Sequence, residues 1–353
     1  MAHSSRVSLL VAFSVLLAGA LLCQPARACT RAVYLGGSGA VITARSMDWV
    51  FDIKSNLWIF PRGMERDGAA GPKSVKWVSK YGSVIATGYD VGTADGMNEK
   101  GLAANALYLT ESDYGTPRAG EKRLSIAAWA QYALDNFATV SEAVNALARN
   151  PFVILAPTLP DGSASTLHLA LSDPSGDSAI FEYVGGKLVI HHGRQYQVLT
   201  NSPTFDQQLA LNAYWEKIGG LVFLPGTDRA ADRFARTSFF IKAIPQTMDD
   251  KDALASVFGV IRGVSVPLGI ATPGEPNIAS TRWRSVADQK NRVYYFDLAT
   301  SPMVFWVELD HIDFTKGAAV KKLELTGGQI YSGDAAAKFA PAQAFPFLQA
   351  TPQ

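Results

Sequence analysis

The sequence predicts a layered α+β fold, because short alternating stretches typical of strands are interleaved with a few amphipathic helical segments. Turn signals such as "DPSGD" and "DQKN" separate several of the alternating stretches, which favours antiparallel hairpins. Helical patterns occur as one pair near the middle of the chain and another pair in its second half. Sheets packed against helices are therefore the architecture we expect.

Strand-like stretches dominate both ends and the middle of the chain. In order they read RAVYL, AVITARS, NLWIFP, SVKWVSKYGSVIATGY, STLHLALS, SAIFEYV, KLVIHH, RVYYFDL and PMVFWVEL. Four helices are predicted, from Leu124 to Asn136, Val140 to Arg149, Arg229 to Ala243 and Asp252 to Arg262. The second helix follows Thr139 and has Glu142 three residues further on, which is a capping-box pattern.

Residues 1–28 have the pattern of a secretory signal peptide. Arg6 precedes an apolar run, and the stretch ends in Ala-Arg-Ala, which places small residues where a signal peptidase cuts. The run is shorter than the ~20 residues that a membrane span needs. We expect cleavage between Ala28 and Cys29, no stable membrane insertion, and a periplasmic or secreted product. The alternative is a lipoprotein modified at Cys29, although the preceding residues fit a lipid-attachment motif badly.

The chain after this cut would hold 325 of the 353 residues. No linker of domain-splitting length and no internal repeat occurs, so we predict one domain over 29–353. Its Ala- and Pro-rich tail, from about residue 317, is expected to wrap a surface or a neighbouring subunit. Loss of two arginines leaves 30 Lys+Arg against 31 Asp+Glu, and this balance argues against nucleic acid or a polybasic membrane contact.

Cys29 is the only cysteine left after cleavage, because Cys23 is removed, so no intramolecular disulfide is expected. At a new N terminus Cys29 carries a free α-amine beside its thiol. An α-amine titrates near ~7.7–8.0, so it can take the thiol proton and later return it to a leaving amine. The thiolate is the reactive form. The position of Cys29 therefore predicts an N-terminal nucleophile amidase, and an inert buried thiol is the alternative.

Six separated stretches carry a family resemblance. They are CTRAVYL, ITARSMDW, DGMNEKGLAANALYL, VLTNSPTFDQQL, LPGTDRAADRFAR and IASTRWRSV. In this order they resemble the choloylglycine hydrolase family of linear amide hydrolases, which includes conjugated bile acid hydrolases and penicillin V acylases. The residues of these stretches are most similar to those of the Gram-negative penicillin V acylases. The resemblance runs from Cys29 to about residue 310, and it implies a four-layer αββα fold with two antiparallel sheets between helix layers, usually as a homotetramer.

The resemblance also implies roles for individual residues. Cys29 would be the nucleophile, with its own α-amine as general base, and Arg45 would favour its thiolate. Asp48 would orient the amine or thiol, Asn201 would donate its amide to the oxyanion, and Arg233 would support the charge network. Taken singly, these residues are equally compatible with a surface ion pair, a turn asparagine and a solvated helical arginine.

Two aromatic residues are expected at the substrate. Tyr108 occupies a position at which bile acid hydrolases have Asn, and there it would shape the oxyanion and substrate site. Trp49 directly follows Asp48 and is a candidate for the acyl pocket, although core packing is the alternative. The aromatic at 108 argues against bile salts.

Histidine does not predict a metal site in this chain. His191 and His192 are adjacent in a strand and point to opposite faces, and His168 lies in another strand. We therefore expect neither metal nor organic cofactor.

The sequence as a whole predicts hydrolysis of linear amides through a thioester on Cys29, with penicillin V or N-acyl homoserine lactones as small-molecule substrates. Conjugated bile salts are the alternative substrate. A periplasmic ligand-binding protein with an inert thiol is the alternative of another class.

Overall fold

Two large β-sheets form the centre of the computed structural model, which describes residues 29–247, 249–270 and 279–350. Its strands are β1 Cys29–Leu35, β2 Val41–Trp49, β3 Leu57–Phe60, β4 Glu65–Asp67, β5 Lys76–Val78, β6 Ser83–Gly88, β7 Gly92–Asn98, β8 Ala103–Tyr108, β9 Arg123–Ser125, β10 Val153–Leu155, β11 Leu167–Ser172, β12 Ser178–Val184, β13 Lys187–His192, β14 Val198–Leu199, β15 Ser280–Asp288, β16 Val293–Leu298, β17 Val304–Glu308, β18 Lys321–Leu323, β19 Gly333–Asp334 and β20 Ala340–Pro341. Its helices are α1 Trp129–Asn136, α2 Val140–Leu147, α3 Phe205–Ile218, α4 Ala230–Ala243 and α5 Asp250–Gly263.

The first sheet has the strand order β14-β1-β2-β15-β16-β17-β19. Its strands are antiparallel apart from the short edge strand β19, which is parallel to β17. β1 pairs with β2 over its whole length, from Cys29 opposite Met47 to Leu35 opposite Val41. This register places the start of β1 beside the end of β2.

The second sheet has nine strands in the order β13-β12-β11-β8-β7-β6-β3-β18-β20, all antiparallel. Two small sheets, β4 with β5 and β9 with β10, lie outside it. The two large sheets face each other through contacts of β1 with β8 and of β15 with β7.

Helices cover the outer face of each large sheet. α4 and α5 lie on β1, β2 and β15, with α3 against α4, while α1 and α2 lie on the second sheet. Each sheet is thus covered on both faces, which is why all nine residues of β2 are buried and its sequence does not alternate. The predicted α+β fold with two sheets between helix layers is confirmed.

One predicted helix boundary is wrong by more than two residues. The helix expected from Leu124 begins only at Trp129, because residues 123–125 form β9 and pair with β10, and 126–128 form a 3₁₀ turn. α2 begins as predicted: the Thr139 hydroxyl accepts from the Glu142 amide, and the Glu142 carboxylate accepts from the amide of Ala138. Each of α4 and α5 agrees with its predicted range to within two residues at either end.

The sequence analysis missed α3. This helix has no one-sided apolar stripe, because Leu211 and Tyr214 are exposed while Phe205 is buried. Its start was signalled only by the Pro203-Thr204 pair and Asp206 in the first turn.

The C-terminal tail lies against its own chain. Phe345 and Phe347 pack into the core cluster between the second sheet and α1. The amide of Leu348 donates to the carbonyl oxygen of Val91 at 2.8 Å, next to β7. The tail therefore reaches the same end of the second sheet that the β6–β7 turn occupies.

The predicted signal peptide, residues 1–28, lies outside the described residues. Among the helices that are described, none is both long and apolar enough to cross a membrane.

Candidate active site

Cys29 lies at the floor of an apolar cavity between the two large sheets. The residue is 1% exposed and is one of those that line the cavity. It is the free cysteine of the described chain. The β1–β2 register brings the end of β2, with Met47 and Asp48, alongside it.

Three atoms of β2 surround the sulfur. Arg45 Nη2 lies 3.6 Å from Cys29 Sγ, the main-chain oxygen of Asp48 lies at 3.8 Å, and Met47 Sδ lies at 3.9 Å. A guanidinium in a buried site is a strong stabiliser of a nearby anion, because little water screens it. Arg45 therefore places a positive charge beside the sulfur.

Arg45 is fully buried and is held in place from several sides. Its Nη2 donates to the carbonyl oxygen of Ala106 at 2.9 Å, and its Nη1 lies 3.8 Å from Asp95 Oδ2. The guanidinium carbon lies 4.7 Å from the centre of the Trp283 ring, a cation–π contact. The charge beside the thiol is therefore fixed in position.

Asn201 connects the main-chain nitrogen of Cys29 to the second sheet. Its Oδ1 accepts from Cys29 N and, at 3.1 Å, from Arg233 Nη2, while its Nδ2 donates to the Tyr108 carbonyl oxygen at 2.7 Å. An arginine can only donate and a carbonyl can only accept, so these partners assign the amide orientation. The second hydrogen of Nδ2 remains for another acceptor.

Arg233, on α4, is fully buried and ties the start of β1 to the helix layer. Its Nη1 donates to the Cys29 carbonyl oxygen at 2.7 Å and to the Thr30 hydroxyl, and its Nε donates to the Asp228 carbonyl oxygen at 3.0 Å. These bonds pin both main-chain polar atoms of Cys29, one directly and one through Asn201.

The Asp48 carboxylate is fully buried behind the nucleophile. It accepts from the hydroxyls of Thr281 at 2.6 Å and Ser46 at 3.2 Å, and it lies 3.9 Å from Arg233 Nη1. Burial raises the pKa of this carboxyl to about 6, although Arg233 and the two hydroxyls act in the opposite direction. Only its main-chain oxygen, not the carboxylate, faces the sulfur.

Aromatic and aliphatic side chains form the cavity wall. Trp49 and Tyr108 both line it, and their rings meet edge to face with centroids 5.8 Å apart. Further apolar lining comes from five chain segments: Ile53, the β6–β7 turn with Tyr89 and Val91, the 3₁₀ turn before α1 with Ile126, the loop before β11 with Leu159, and Leu348 of the tail. Such a cavity suits an apolar acyl group.

The structure brings together every side chain that the sequence analysis placed at the site: Cys29, Arg45, Asp48, Trp49, Tyr108, Asn201 and Arg233. The alternatives of a surface ion pair and a solvated helical arginine are wrong, because Arg45, Asp48 and Arg233 are fully buried. His168, His191 and His192 lie in strands as predicted, and His168 Nδ1 lies 2.8 Å from Glu182 Oε1 in the interior.

Several supporting residues were missed. Thr281 and Ser46 bind the Asp48 carboxylate, Asp95 faces Arg45, and Gln208 Nε2 donates to the carbonyl oxygen of Asn201. Each of these residues lies inside or beside a stretch that carries the family resemblance, so the resemblance could have indicated them. Most of the residues that they contact are distant in sequence, and the spacing of residues along the chain does not identify such pairs.

Comparison with known proteins agrees with this geometry. The sequence model of the linear amide C–N hydrolases of the choloylglycine hydrolase family matches residues 29–322. The chain is 54% identical to a penicillin V acylase of Pectobacterium atrosepticum, over 91% of this chain and 92% of that protein. It is 28% identical to a bile salt hydrolase/transferase of Clostridium perfringens, over 76% and 88% of the two chains.

Solved structures give the same result for the fold. A penicillin V acylase from Agrobacterium tumefaciens superposes with a TM-score of 0.85 and 60% identity, covering 91% of this chain and 99% of the other. A conjugated bile acid hydrolase from Clostridium perfringens superposes with a TM-score of 0.72 at 24% identity, covering 84% and 97%, and this second likeness concerns the fold alone. The chain belongs to the choloylglycine hydrolase family of linear amide C–N hydrolases.

Proposed function

We propose that the chain hydrolyses linear amides with Cys29 as an N-terminal nucleophile. One observation carries the proposal: Cys29 lines an apolar cavity, its sulfur lies 3.6 Å from Arg45 Nη2, and its nitrogen donates to Asn201 Oδ1. Nucleophile, cation, amide donor and acyl pocket are thus in one place, which is what an acyl-transfer site needs.

The reaction then follows in two halves. The α-amine of Cys29 takes the thiol proton, the sulfur attacks the amide carbon, and the free hydrogen of Asn201 Nδ2 binds the oxyanion beside Tyr108. The carbon–nitrogen bond breaks, and the proton returns to the leaving amine. Water then attacks the thioester, which releases the carboxylic acid and restores the thiol. Arg233 and Asp48 act by holding Cys29 and Asn201 in position.

The preferred substrate class is an amide of an apolar acyl group, of the penicillin V type. The cavity wall is aromatic and aliphatic, and the two penicillin V acylases above are 54% and 60% identical to this chain. A long-chain N-acyl homoserine lactone is the second candidate, because its acyl chain needs the same kind of wall and apolar sites discriminate weakly between apolar groups.

Conjugated bile salts are disfavoured by Tyr108. Its ring lines the cavity against Trp49, at a position where the bile acid hydrolase pattern has Asn. The bile salt hydrolase relatives are also more distant, at 25% to 28% identity.

Processing and location complete the proposal. We infer that residues 1–28 are removed by signal peptidase between Ala28 and Cys29, that the product is periplasmic or secreted, and that residues 29–353 act as one domain. The mechanism requires this cut, because only a free Cys29 amine can serve as the base. A lipid on Cys29 would block the amine.

We further propose a homotetramer. The turn between α3 and α4 exposes a run of large apolar side chains, Leu221, Val222 and Phe223, next to Tyr214 of α3. Contiguous exposed apolar surface of this kind is typical of subunit contacts.

The decisive experiment measures amine release by the mature protein from penicillin V, a long-chain acyl homoserine lactone and glycocholate, with Cys29→Ala alongside. We expect Cys29-dependent turnover of the first or second substrate. Glycocholate turnover would overturn the role given to Tyr108. Absence of turnover with all three, when the N-terminal mass confirms a free Cys29, would refute the proposed function and favour a binding protein with an inert thiol.

A further inference from the structure

A single carboxylate joins two aromatic side chains of the acyl cavity. Asp161 lies in the loop of residues 156–166, between β10 and β11. Its Oδ2 accepts from Trp49 Nε1 at 2.7 Å and from the Tyr89 hydroxyl at 2.7 Å. Both aromatic residues line the cavity above Cys29, and Leu159 of the same loop lines it as well.

The carboxylate is well suited to this contact. Two neutral donors converge on one charged oxygen, and hydrogen bonds to a charged acceptor are the stronger kind. Its other oxygen accepts from the Ser163 amide at 2.8 Å, which fixes the loop that carries it. Burial raises the pKa of Asp161, but the bonds from Trp49, Tyr89 and Ser163 outweigh it and hold that pKa below the ordinary value.

Tyr89 reaches the cavity through an unusual turn. Tyr89 and Asp90 join β6 to β7 with φ angles of 55° and 50°, a left-handed pair that usually takes Asn-Gly. Residues other than glycine adopt this conformation less readily, because their Cβ atom crowds the main chain. Such residues cluster at functional sites, and Tyr89 is the one of this pair that lines the cavity.

The rest of the turn is firmly held. The Asp90 carboxylate accepts from Asn56 Nδ2, Trp58 Nε1, the Thr87 hydroxyl and Lys322 Nζ at 2.6 to 2.9 Å. The turn therefore has its own support, and the Tyr89–Asp161 bond is not needed to form it. What this bond fixes is the position of the tyrosine side chain.

We propose that Asp161 is a specificity-determining positioning residue, which holds Trp49 and Tyr89 together as one wall of the acyl cavity. The proposal rests on the proposed amidase function. Among the described residues, Asp161 makes no hydrogen bond or ion pair with Cys29, Asn201 or Arg233. Its loss should therefore affect recognition of the acyl group rather than the chemical step.

The test compares amides that share one amine and differ in the acyl group, from acetyl to phenoxyacetyl. For Asp161→Ala we expect kcat/KM with the phenoxyacetyl substrate to fall about tenfold through KM, and with the acetyl substrate to change less than about twofold. Asp161→Asn, which keeps one acceptor, should recover part of the loss. Asp313→Ala, at an exposed carboxylate that caps a turn in the same manner, is the matched control.

A double-mutant cycle checks the route of the effect. Tyr89→Phe removes one donor and keeps the ring, so it should weaken phenoxyacetyl recognition in the parent protein and add little in Asp161→Ala. An equal fall for every acyl group, or full additivity of the two changes, would overturn the proposal while the amidase function stands. Should Asp161→Ala fail to fold, the milder Asp161→Asn and Tyr89→Phe give the same comparison.

If the parent protein hydrolyses no acyl amide, the proposed function fails, and the contact is then tested by fluorescence. The difference in acrylamide quenching between the parent and Trp49→Phe isolates Trp49. Greater quenching of Trp49 in Asp161→Asn is the expected result, whereas unchanged quenching would refute the contact.

Discussion

The floor and the wall of the cavity are built in different ways. At the floor, Cys29, Arg45, Asp48 and Arg233 lie on adjacent strands and one helix, fully or almost fully buried, and each is bonded to main-chain or charged atoms. The wall combines Trp49 and Tyr108, each at the end of a strand, with apolar side chains from a turn, loops and the C-terminal tail. The difference indicates that strands and a helix hold the nucleophile and its charged neighbours in position, while connecting segments complete the surface that contacts the acyl group.

The largest effect should come from the floor. Cys29→Ser keeps the shape of the side chain but replaces the thiolate by a poorer nucleophile, so we expect kcat to fall at least ~10⁴-fold. Hydrolysis of penicillin V, measured after mass spectrometry has established the N-terminal residue, checks this. Retention of more than a few per cent of the activity would show that the nucleophile is a residue other than Cys29.

Asn201→Ala should cause the second-largest fall in kcat. It removes the donor assigned to the oxyanion and a contact of the Cys29 nitrogen, so we expect kcat to fall about 10²- to 10³-fold with a much smaller change in KM. Asn136→Ala is the matched control, because Asn136 Nδ2 also donates to a main-chain oxygen, that of Tyr132, far from the cavity. A loss confined to KM would contradict the assigned role.

Asp48→Asn should change how the unfolding free energy of the protein depends on pH. The folded pKa of about 6 lies above the ordinary 3.8, so the folded state binds the proton more tightly. The tighter binding of this proton adds to the unfolding free energy. The added free energy is present below the unfolded pKa of 3.8 and is lost as the pH rises through the folded pKa of about 6. At ~1.4 kcal/mol per pKa unit this loss amounts to about 3 kcal/mol.

The difference in unfolding free energy, Asp48→Asn minus parent, should therefore rise by about 2.4 kcal/mol from pH 4 to pH 7, because part of the total loss lies below pH 4. Denaturant unfolding across this range measures it. Asp313→Asn, at an exposed carboxylate, provides the comparison. A difference that stays constant with pH would show that Asp48 is not a desolvated carboxylate.

The smallest effect should come from the wall. Leu348→Ala shortens one apolar side chain of the tail, so we expect KM for penicillin V to rise about three- to tenfold with kcat unchanged. Leu211→Ala, at an exposed position on α3, should leave both constants unchanged. A fall in kcat would mean that the tail also influences the catalytic residues around Cys29, which would contradict its assignment to acyl binding alone.

The floor could be predicted from the sequence and the wall only in part. Cys29, Arg45 and Asp48 lie near one another in the chain, and their stretches carry a recognisable pattern. By contrast, Asp161 contacts Trp49 across 112 residues and Tyr89 across 72, and no local pattern reports such pairs.

The two errors in secondary structure have different causes. β9 forms from a segment with helical periodicity because Leu124 pairs with Ile154, a partner 30 residues away, so a tertiary contact overrides the local preference. α3 was not predicted because its exposed apolar residues blur the helical stripe, so its sequence lacks the one-sided pattern of an amphipathic helix.

The central claim is that the acyl group passes through a thioester on an N-terminal Cys29. Its most direct test is to quench the mature protein in acid during turnover of penicillin V and to determine the mass of its N-terminal peptide. The account predicts a peptide that begins at Cys29 and carries the phenoxyacetyl group on its sulfur. A peptide that begins elsewhere, or an acyl group on another residue, would contradict it.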